Sequence, residues 1–319
     1  MKAIVYNRYG APDVLVLREV EKPTPKANEI LIKIKATAVN SGDWRLRKAD
    51  PFAVRLFFGL TQPKIPILGG VFSGEIEAVG KDVKRYQPGD CVFGSTALSS
   101  GFGAYAEYKC LPEDAVLALK PTNLSHTEAA VIPFGATTAL HFLKKAAIQP
   151  GRKVLVYGAS GAVGSAAVQL AKYFGAQVTG VCSTANVALV KSLGADKVLD
   201  YTKEDFAESR EKYDVILETV NKAPVSQCLK ALLPKGLLIL SAAGMKQMMQ
   251  GAWVSLFGSQ KVLTGLIRET AEDMAFLKKL IEEGQLTPVI DRTYSLAQMA
   301  EAHAYAEKGH KKGNVAIAV

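Results

Sequence analysis

Hydrophobic and polar positions change their rhythm once along this chain. Up to about residue 120, short alternating or apolar runs recur at residues 3–6, 15–19, 29–39, 74–79, 91–93 and 104–109. Turn signals such as Tyr9-Gly10-Ala11-Pro12, Lys22-Pro23-Thr24-Pro25 and Gln87-Pro88-Gly89-Asp90 separate them. Short strands punctuated in this way predict a small barrel or sandwich. Residues 49–60 break the pattern, with Phe52, Phe57 and Phe58 set among Val54, Leu56 and Leu60 around Arg55. Two readings stay open for them: packing onto the barrel, or a flexible apolar cover over a cleft.

From Ser125 the period lengthens. Ser125 with Glu128 three residues on forms a capping box and predicts a helix over 125–131, followed by another over 137–147. Strands at 153–157, 177–182, 197–199, 213–219, 236–240 and 261–266 then alternate with helices at 162–174, 185–193 and 223–232. The strands are continuous runs of Val, Leu and Ile, as in a parallel sheet covered by helices on both faces. The tail reverts: a helix at 271–283 ends at Gly284, then come an extended run at 289–294, a helix at 296–308 and a strand at 314–319. The expected division is a β-rich domain over 1–122, an α/β domain over 123–267, and a return to the first domain over 268–319.

Between the strand at 153–157 and its helix lies Tyr157-Gly158-Ala159-Ser160-Gly161-Ala162-Val163-Gly164. Glycines at such spacing keep side chains away from a ligand that approaches the backbone. The first amides of the helix then face that ligand with the positive end of the helix dipole behind them. On spacing alone a plain tight turn fits equally well. The strand before and the helix after favour the pyrophosphate of a dinucleotide.

Composition narrows the class. The 319 residues are 49% hydrophobic and 22% charged, ordinary for a globular protein that needs no disulfide or metal staple. The formal charge of +9 is scattered (Arg45, Arg47, Lys48; Lys144, Lys145; Lys311, Lys312), and no nucleic-acid motif accompanies it. Cys91, Cys110, Cys182 and Cys228 stand far apart, without metal-ligand spacing, and suit a reducing compartment. The uncharged stretch 154–171 has strand-turn-helix grammar rather than that of a membrane span, and no signal peptide is evident. A cytoplasmic protein is expected.

The glycine turn has company. Pro63 to Pro66 and Gly69-Gly70 precede Phe72-Ser73-Gly74-Glu75-Ile76 and Val79-Gly80. Pro88-Gly89-Asp90-Cys91-Val92, Gly103-Ala104-Tyr105-Ala106-Glu107-Tyr108, Leu193-Gly194-Ala195-Asp196 and Asp200-Tyr201 follow in order. In this order and spacing essentially the whole chain resembles the medium-chain dehydrogenase/reductase superfamily, within it the zinc-free quinone oxidoreductase (zeta-crystallin-like) branch. The resemblance implies an α/β fold: a GroES-like β-barrel catalytic domain, a Rossmann domain with a doubly wound parallel sheet, and a cofactor cleft between them. It also implies that zinc-dependent relatives carry Gly-His-Glu where Gly69-Gly70-Val71 stands here, and a cysteine near Ser41-Gly42-Asp43. Neither is present, and His126, His141, His303 and His310 are dispersed, so no metal is expected.

For the cofactor, NADPH is expected over NADH. An NAD site usually places a carboxylate about 20 residues after the glycines, whereas here Val181-Cys182-Ser183-Thr184 offers hydroxyls that could donate to a 2′-phosphate. Capping of the next helix by Ser183 and Thr184 is the plainer alternative. The resemblance adds Tyr201 near that phosphate and the stretch Lys311, Lys312, Asn314 near the adenosine. Ala185-Asn186 departs from it, standing where relatives often have Lys or Arg. The cofactor-binding set is thus Ser160, Gly161, Ala162, Val163, Gly164, Ser183, Thr184, Tyr201, Val220, Ala242, Ala243, Lys312 and Asn314. Asn40 and Thr137 are the catalytic candidates; Asp43, Trp44, Phe52 and Phe57 are those for substrate. A surface turn is an equal alternative for Asp43 and Trp44. Tyr105 and Lys109 imitate the catalytic pair of short-chain dehydrogenases but precede the glycine turn and read as strand residues. The implied activity is hydride transfer from NADPH to a quinone or an α,β-unsaturated carbonyl, with no general acid evident. The alternatives are an enoyl or enone reductase of the same fold, and a non-catalytic NADPH-binding regulatory or structural protein. A homodimer pairing through residues 261–266 is expected.

Overall fold

The computed structural model of the chain describes residues 1–97 and 100–319. Two compact units emerge, one comprising Met1–Phe134, Thr270–Glu283 and Pro288–Val319, the other Gly135–Glu269 and Gly284–Thr287.

The first unit opens with an antiparallel pair, β1 (Lys2–Val5) and β2 (Val16–Glu19). Then follow β3 (Glu29–Val39), α1 (Ser41–Lys48), α2 (Val54–Phe58), β4 (Val71–Val79), β5 (Cys91–Ser95), β6 (Tyr108–Pro112), β7 (Leu117–Leu119) and α3 (His126–Ala130). The long β3 anchors this unit. Ile30, Ile32 and Ile34 pack with Phe72, Ile76, Val92, Leu111 and Leu117 in one buried cluster, while Lys33 points to solvent. Ser125 caps α3, and Glu128 accepts the Ser125 N–H at 2.9 Å, which is the capping box expected from sequence.

Helix α4 (Ile132–Lys145) leads into the second unit. There β8 (Lys153–Tyr157), α5 (Ala162–Tyr173), β9 (Gln177–Cys182), α6 (Val187–Ser192), β10 (Lys197–Asp200), β11 (Tyr213–Glu218), α7 (Val225–Ala231), β12 (Leu232–Leu240), α8 (Met245–Phe257) and β13 (Lys261–Leu263) alternate. The six strands are parallel in the order β10-β9-β8-β11-β12-β13, the doubly wound arrangement. Val154, Leu155 and Val156 are fully buried, which explains why these strands read as unbroken apolar runs. In the tail, α9 (Ala271–Glu282), β14 (Ile290–Ser295), α10 (Met299–Ala306) and β15 (Asn314–Ala318) belong to the first unit. There β15 pairs antiparallel with β3, and the sheet order is β14-β15-β3-β4-β5-β7 with β6 alongside β3.

Three segments differ from the sequence expectation. Residues 104–109 are not one strand: β6 begins at Tyr108, and Tyr105 is completely buried because Ile4 and Leu68 capture its backbone instead. Helix α8 was not anticipated. Its apolar residues face solvent rather than forming one buried stripe, with Met245, Met249, Trp253 and Leu256 exposed, so the usual helical signal is missing. What seats it is Gly251, where a Cβ would stand 2.8 Å from Val262 Cγ1. Helix α1 replaces the surface turn considered for Asp43 and Trp44; the signal was Asn40 with Asp43 three residues on.

The fit of α5 against β8 depends on Gly164. A Cβ there would sit 2.1 Å from the Gly158 carbonyl oxygen. We expect Gly164→Ala to destabilise the chain by about 1–3 kcal/mol, read as a lowered urea midpoint in a denaturation series.

Candidate functional site

In the second unit, the loops that leave the carboxyl ends of the parallel strands gather the predicted cofactor residues other than Lys312 and Asn314, which belong to the first unit. This edge is where open α/β sheets bind ligands. After β8, Gly158 turns the chain at φ +80°, and a Cβ there would meet Thr219 Oγ1 at 2.6 Å. Gly161 is the N-cap of α5; a Cβ on it would approach only the Gly158 oxygen, at 3.5 Å. Within 4 Å of that position no other group of the described residues intrudes beyond the neighbouring chain. Ala162 and Val163 occupy the first helical turn, whose amides lack intrahelical acceptors. The three glycines thus have different roles: Gly158 makes the turn, Gly161 leaves room, and Gly164 lets the helix approach the strand.

After β9, Asn186 Nδ2 donates to Ser160 Oγ at 3.0 Å and to Ser183 Oγ at 3.2 Å, tying the two loops together. Thr184 donates its hydroxyl to Asp200 at the end of β10. Asp200 also accepts the Thr202 N–H at 3.0 Å and the Thr202 hydroxyl at 2.7 Å; these donors, led by Thr184, hold its carboxyl down at about 2. Sequence reading missed Asp200 as part of this edge, although Asp200-Tyr201 was conspicuous. Tyr201 is half exposed and stacks on Tyr157 at 6.5 Å between ring centroids. After β11, the buried Glu218 accepts the N–H groups of Val220, Asn221 and Lys222 at 3.2, 2.8 and 3.0 Å and fixes that loop. Val220 is exposed on it. Ala242 and Ala243 lie half-buried after β12. On α4, Thr137 is buried and donates to Glu269 Oε1 at 3.1 Å. Gly135, two residues earlier, is a further residue that sequence reading passed over: its Cβ would stand 2.4 Å from the Ala162 oxygen.

The first unit carries the other candidates. Asn40 is the N-cap of α1 and is 5% exposed; its backbone N–H donates to Asp43 Oδ2 at 2.8 Å. Its side-chain Nδ2 has no hydrogen-bond partner among the described residues. Asp43 is 2% exposed, so it does not face open solvent. Burial pushes its carboxyl up to about 7, against the opposing pull of the Asn40 N–H, the Tyr105 hydroxyl and the amides of Gly69 and Gly70. The sign follows: this group's stabilising contribution is complete below its unfolded value of about 3.9 and is lost as pH rises through its folded value. Trp44 is half-buried, with Arg45 and Lys48 over its ring.

The Phe-rich segment divides. Val54 and Phe58 pack on the buried cluster of this unit, Phe58 edge-on to Phe102 at 6.2 Å. Phe52 and Phe57 are 67% and 79% exposed. At the tail, Lys312 is exposed, whereas Asn314 is buried and its Nδ2 donates to the Val289 oxygen at 3.0 Å. No group of three His, Cys, Asp or Glu side chains among the described residues could hold a metal ion.

Comparison with known proteins agrees with this architecture. Residues 26–121 match the alcohol dehydrogenase GroES-like domain, and residues 193–317 match the zinc-binding dehydrogenase family. A 2-methylene-furan-3-one reductase of Solanum lycopersicum is 36% identical, over 99% of this chain and 79% of its own length. The quinone oxidoreductase of Coxiella burnetii superposes with a TM-score of 0.91 at 30% identity, over 100% of this chain and 99% of the other. The Escherichia coli quinone oxidoreductase complexed with NADPH superposes with a TM-score of 0.85 at 25% identity, over the whole of both chains. With relatives of this similarity aligned from end to end, the chain belongs to the medium-chain dehydrogenase/reductase superfamily, in its zinc-free quinone oxidoreductase branch.

Proposed function

We propose that this protein reduces quinones and α,β-unsaturated carbonyls at the expense of NADPH, without a metal. The observation that carries the reading is the cradle at Gly158–Gly164, where a Cβ is excluded at two glycines and the space at the third is clear in front of a helix N-terminus. A diphosphate fits such a place because free amides and the helix dipole both favour an anion there. When bound, the nicotinamide supplies a hydride to an electron-poor carbon, which is chemistry of the cofactor and not of the chain.

The residues contribute orientation and polarity. Ser160 to Gly164 would hold the diphosphate, and Val220, Ala242 and Ala243 would border the cofactor along the sheet edge. Ser183 and Tyr201 would meet the adenosine end. Thr184 already gives its proton to Asp200, so it would turn lone pairs outward and not act as a donor to a 2′-phosphate. The preference for NADPH therefore rests on Ser183, Tyr201 and the overall positive charge, with Lys312 as a further cation. Asn40 is proposed as the amide that contacts the acceptor's oxygen, since its Nδ2 is otherwise unpaired. Thr137 and its partner Glu269 are proposed to order the nicotinamide end. Trp44, Phe52 and Phe57 offer apolar surface suited to flat, hydrophobic acceptors. The relatives' printed names, a quinone oxidoreductase and a methylene-furanone reductase, support both acceptor classes.

The four cysteines are free thiols, which supports a reducing compartment, and we place the protein in the cytoplasm. No helix among the described residues is long and apolar enough to cross a membrane. The sheet edge β13 is proposed to pair with a second copy.

Three measurements test this reading. Fluorescence titration is expected to give a lower Kd for NADPH than for NADH; tighter NADH binding contradicts the cofactor assignment. Gly161→Ala is expected to leave folding stability within about 1 kcal/mol, yet to weaken NADPH binding by at least about tenfold. In steady-state assays following nicotinamide absorbance, quinones and enones should be reduced and simple aldehydes should not. Reduction confined to aldehydes contradicts the substrate assignment.

A further inference from the structure

Two anomalies sit side by side at the start of α1. One is a carboxylate in an apolar interior: Asp43, faced by the Tyr105 hydroxyl and Tyr6, both members of the buried cluster that also holds Val39, Leu46 and Leu68. The other is a buried amide donor with nothing to donate to, Asn40 Nδ2. The carboxylate's shortest recorded hydrogen bond, 2.8 Å, is with the backbone of Asn40. An exposed Glu or Gln in place of Asp43 would satisfy that N–H without burying a charge.

Behind Asp43 the polar chain continues. Tyr105 is fully buried, and its hydroxyl lies 3.1 Å from His303 Nε2. Burial, with Arg47 nearby, keeps His303 neutral by pushing its imidazole down to about 3. His303 Nδ1 is buried and unpartnered among the described residues. These facts fit one order of donors. His303 carries its proton on Nε2 and gives it to the Tyr105 oxygen, and Tyr105 directs its own between the Ala38 oxygen, at 3.4 Å, and Asp43, whose Oδ1 is buried and has no other partner among the described residues. Nδ1 is then a bare acceptor, which is easier to leave unpaired than an N–H. Arg47 flanks the chain from α1; it is buried and paired with Glu307 at the end of α10. Tyr6 is a further titratable neighbour of Asp43.

We infer that Asp43 is a positioning residue: it clamps the Asn40 turn so that the orphaned amide stays available to a carbonyl oxygen of the acceptor, and the Tyr105–His303 chain ties the strength of that clamp to proton occupancy. The inference rests on the proposed role of Asn40 and adds a group that does not itself touch the substrate. An ionised Asp43 holds the Asn40 N–H by a charge-assisted bond, and a protonated one holds it less tightly. Acceptor use should therefore improve as pH rises through neutrality, and removing the Tyr105 donor should move that limb upward.

The test uses two readouts on the full chain. The first is hydrogen exchange of the Asn40 amide, followed by NMR as a function of pH. The second is kcat/KM for 1,4-naphthoquinone and but-3-en-2-one with saturating NADPH. In Asp43→Asn, Asn40 exchange should quicken by about tenfold, kcat/KM should fall by about tenfold or more, and the rising pH limb should vanish while NADPH titrates normally. Tyr105→Phe, the variant to rely on if Asp43→Asn does not fold, should keep the limb but shift it upward by about one pH unit. Exchange and pH profile unchanged in both variants would overturn the inference. Exchange that responds in a chain that turns over neither acceptor supports the clamp and contradicts the reductase reading.

Discussion

Helix α5 can point its free amides at a ligand only because its first turn lies almost in contact with the turn after β8. Gly164 against the Gly158 oxygen sets that distance, and any side chain at 164 would drive the two apart. The rest of the second unit is arranged around this contact. Asn186 fastens the β9 loop to Ser160, Thr219 donates its hydroxyl to the Tyr157 oxygen at 2.8 Å, and Glu218 gathers the amides of the β11 loop. The loops that would border a cofactor are thus held by polar side chains working on backbone groups. The surface left toward the ligand is mainly backbone and small residues. That is a sensible way to bind a charged, extended molecule, since fixed dipoles need no reorganisation when it arrives.

The first unit uses the opposite device. Its candidate residues are not displayed on loops; they belong to a buried polar chain. Asp43, Tyr105 and His303 lie inside an apolar cluster, where each hydrogen bond is strengthened by the low dielectric and each unmet group is costly. Two orphaned atoms, Asn40 Nδ2 and His303 Nδ1, stand at the ends of that chain, and Asp43 Oδ1 is a third within it. One end is explained by a neutral imidazole with its proton on the other nitrogen. The other is a donor, which is harder to leave unpaired, and a ligand would complete it.

Legibility in the sequence followed the range of the interactions. The parallel strands were plain because burial on both faces demands unbroken Val, Leu and Ile, as at Val154–Val156. The capping box at Ser125 is a four-residue signal, and it held. The glycine turn was legible for the same reason. Long-range effects were not. Nothing local in Tyr105 announces a residue whose hydroxyl meets a histidine 198 positions away. For Asp43 a substrate-lining place and a surface turn read equally well, and only the packed fold reveals its burial. Thr184 read as a phosphate donor or a helix cap, and nothing local announced that its proton goes to Asp200 on another strand. Helix α8 escaped because its seat is a glycine and its apolar residues face outward.

The central claim is that backbone amides at the start of α5 hold the diphosphate of the cofactor. Backbone amide NMR during an NADPH titration tests it most directly. The account predicts that the Ala162, Val163 and Gly164 resonances move most, in step with saturation. If NADPH saturates the protein while those three amides stay where they were, the account is wrong.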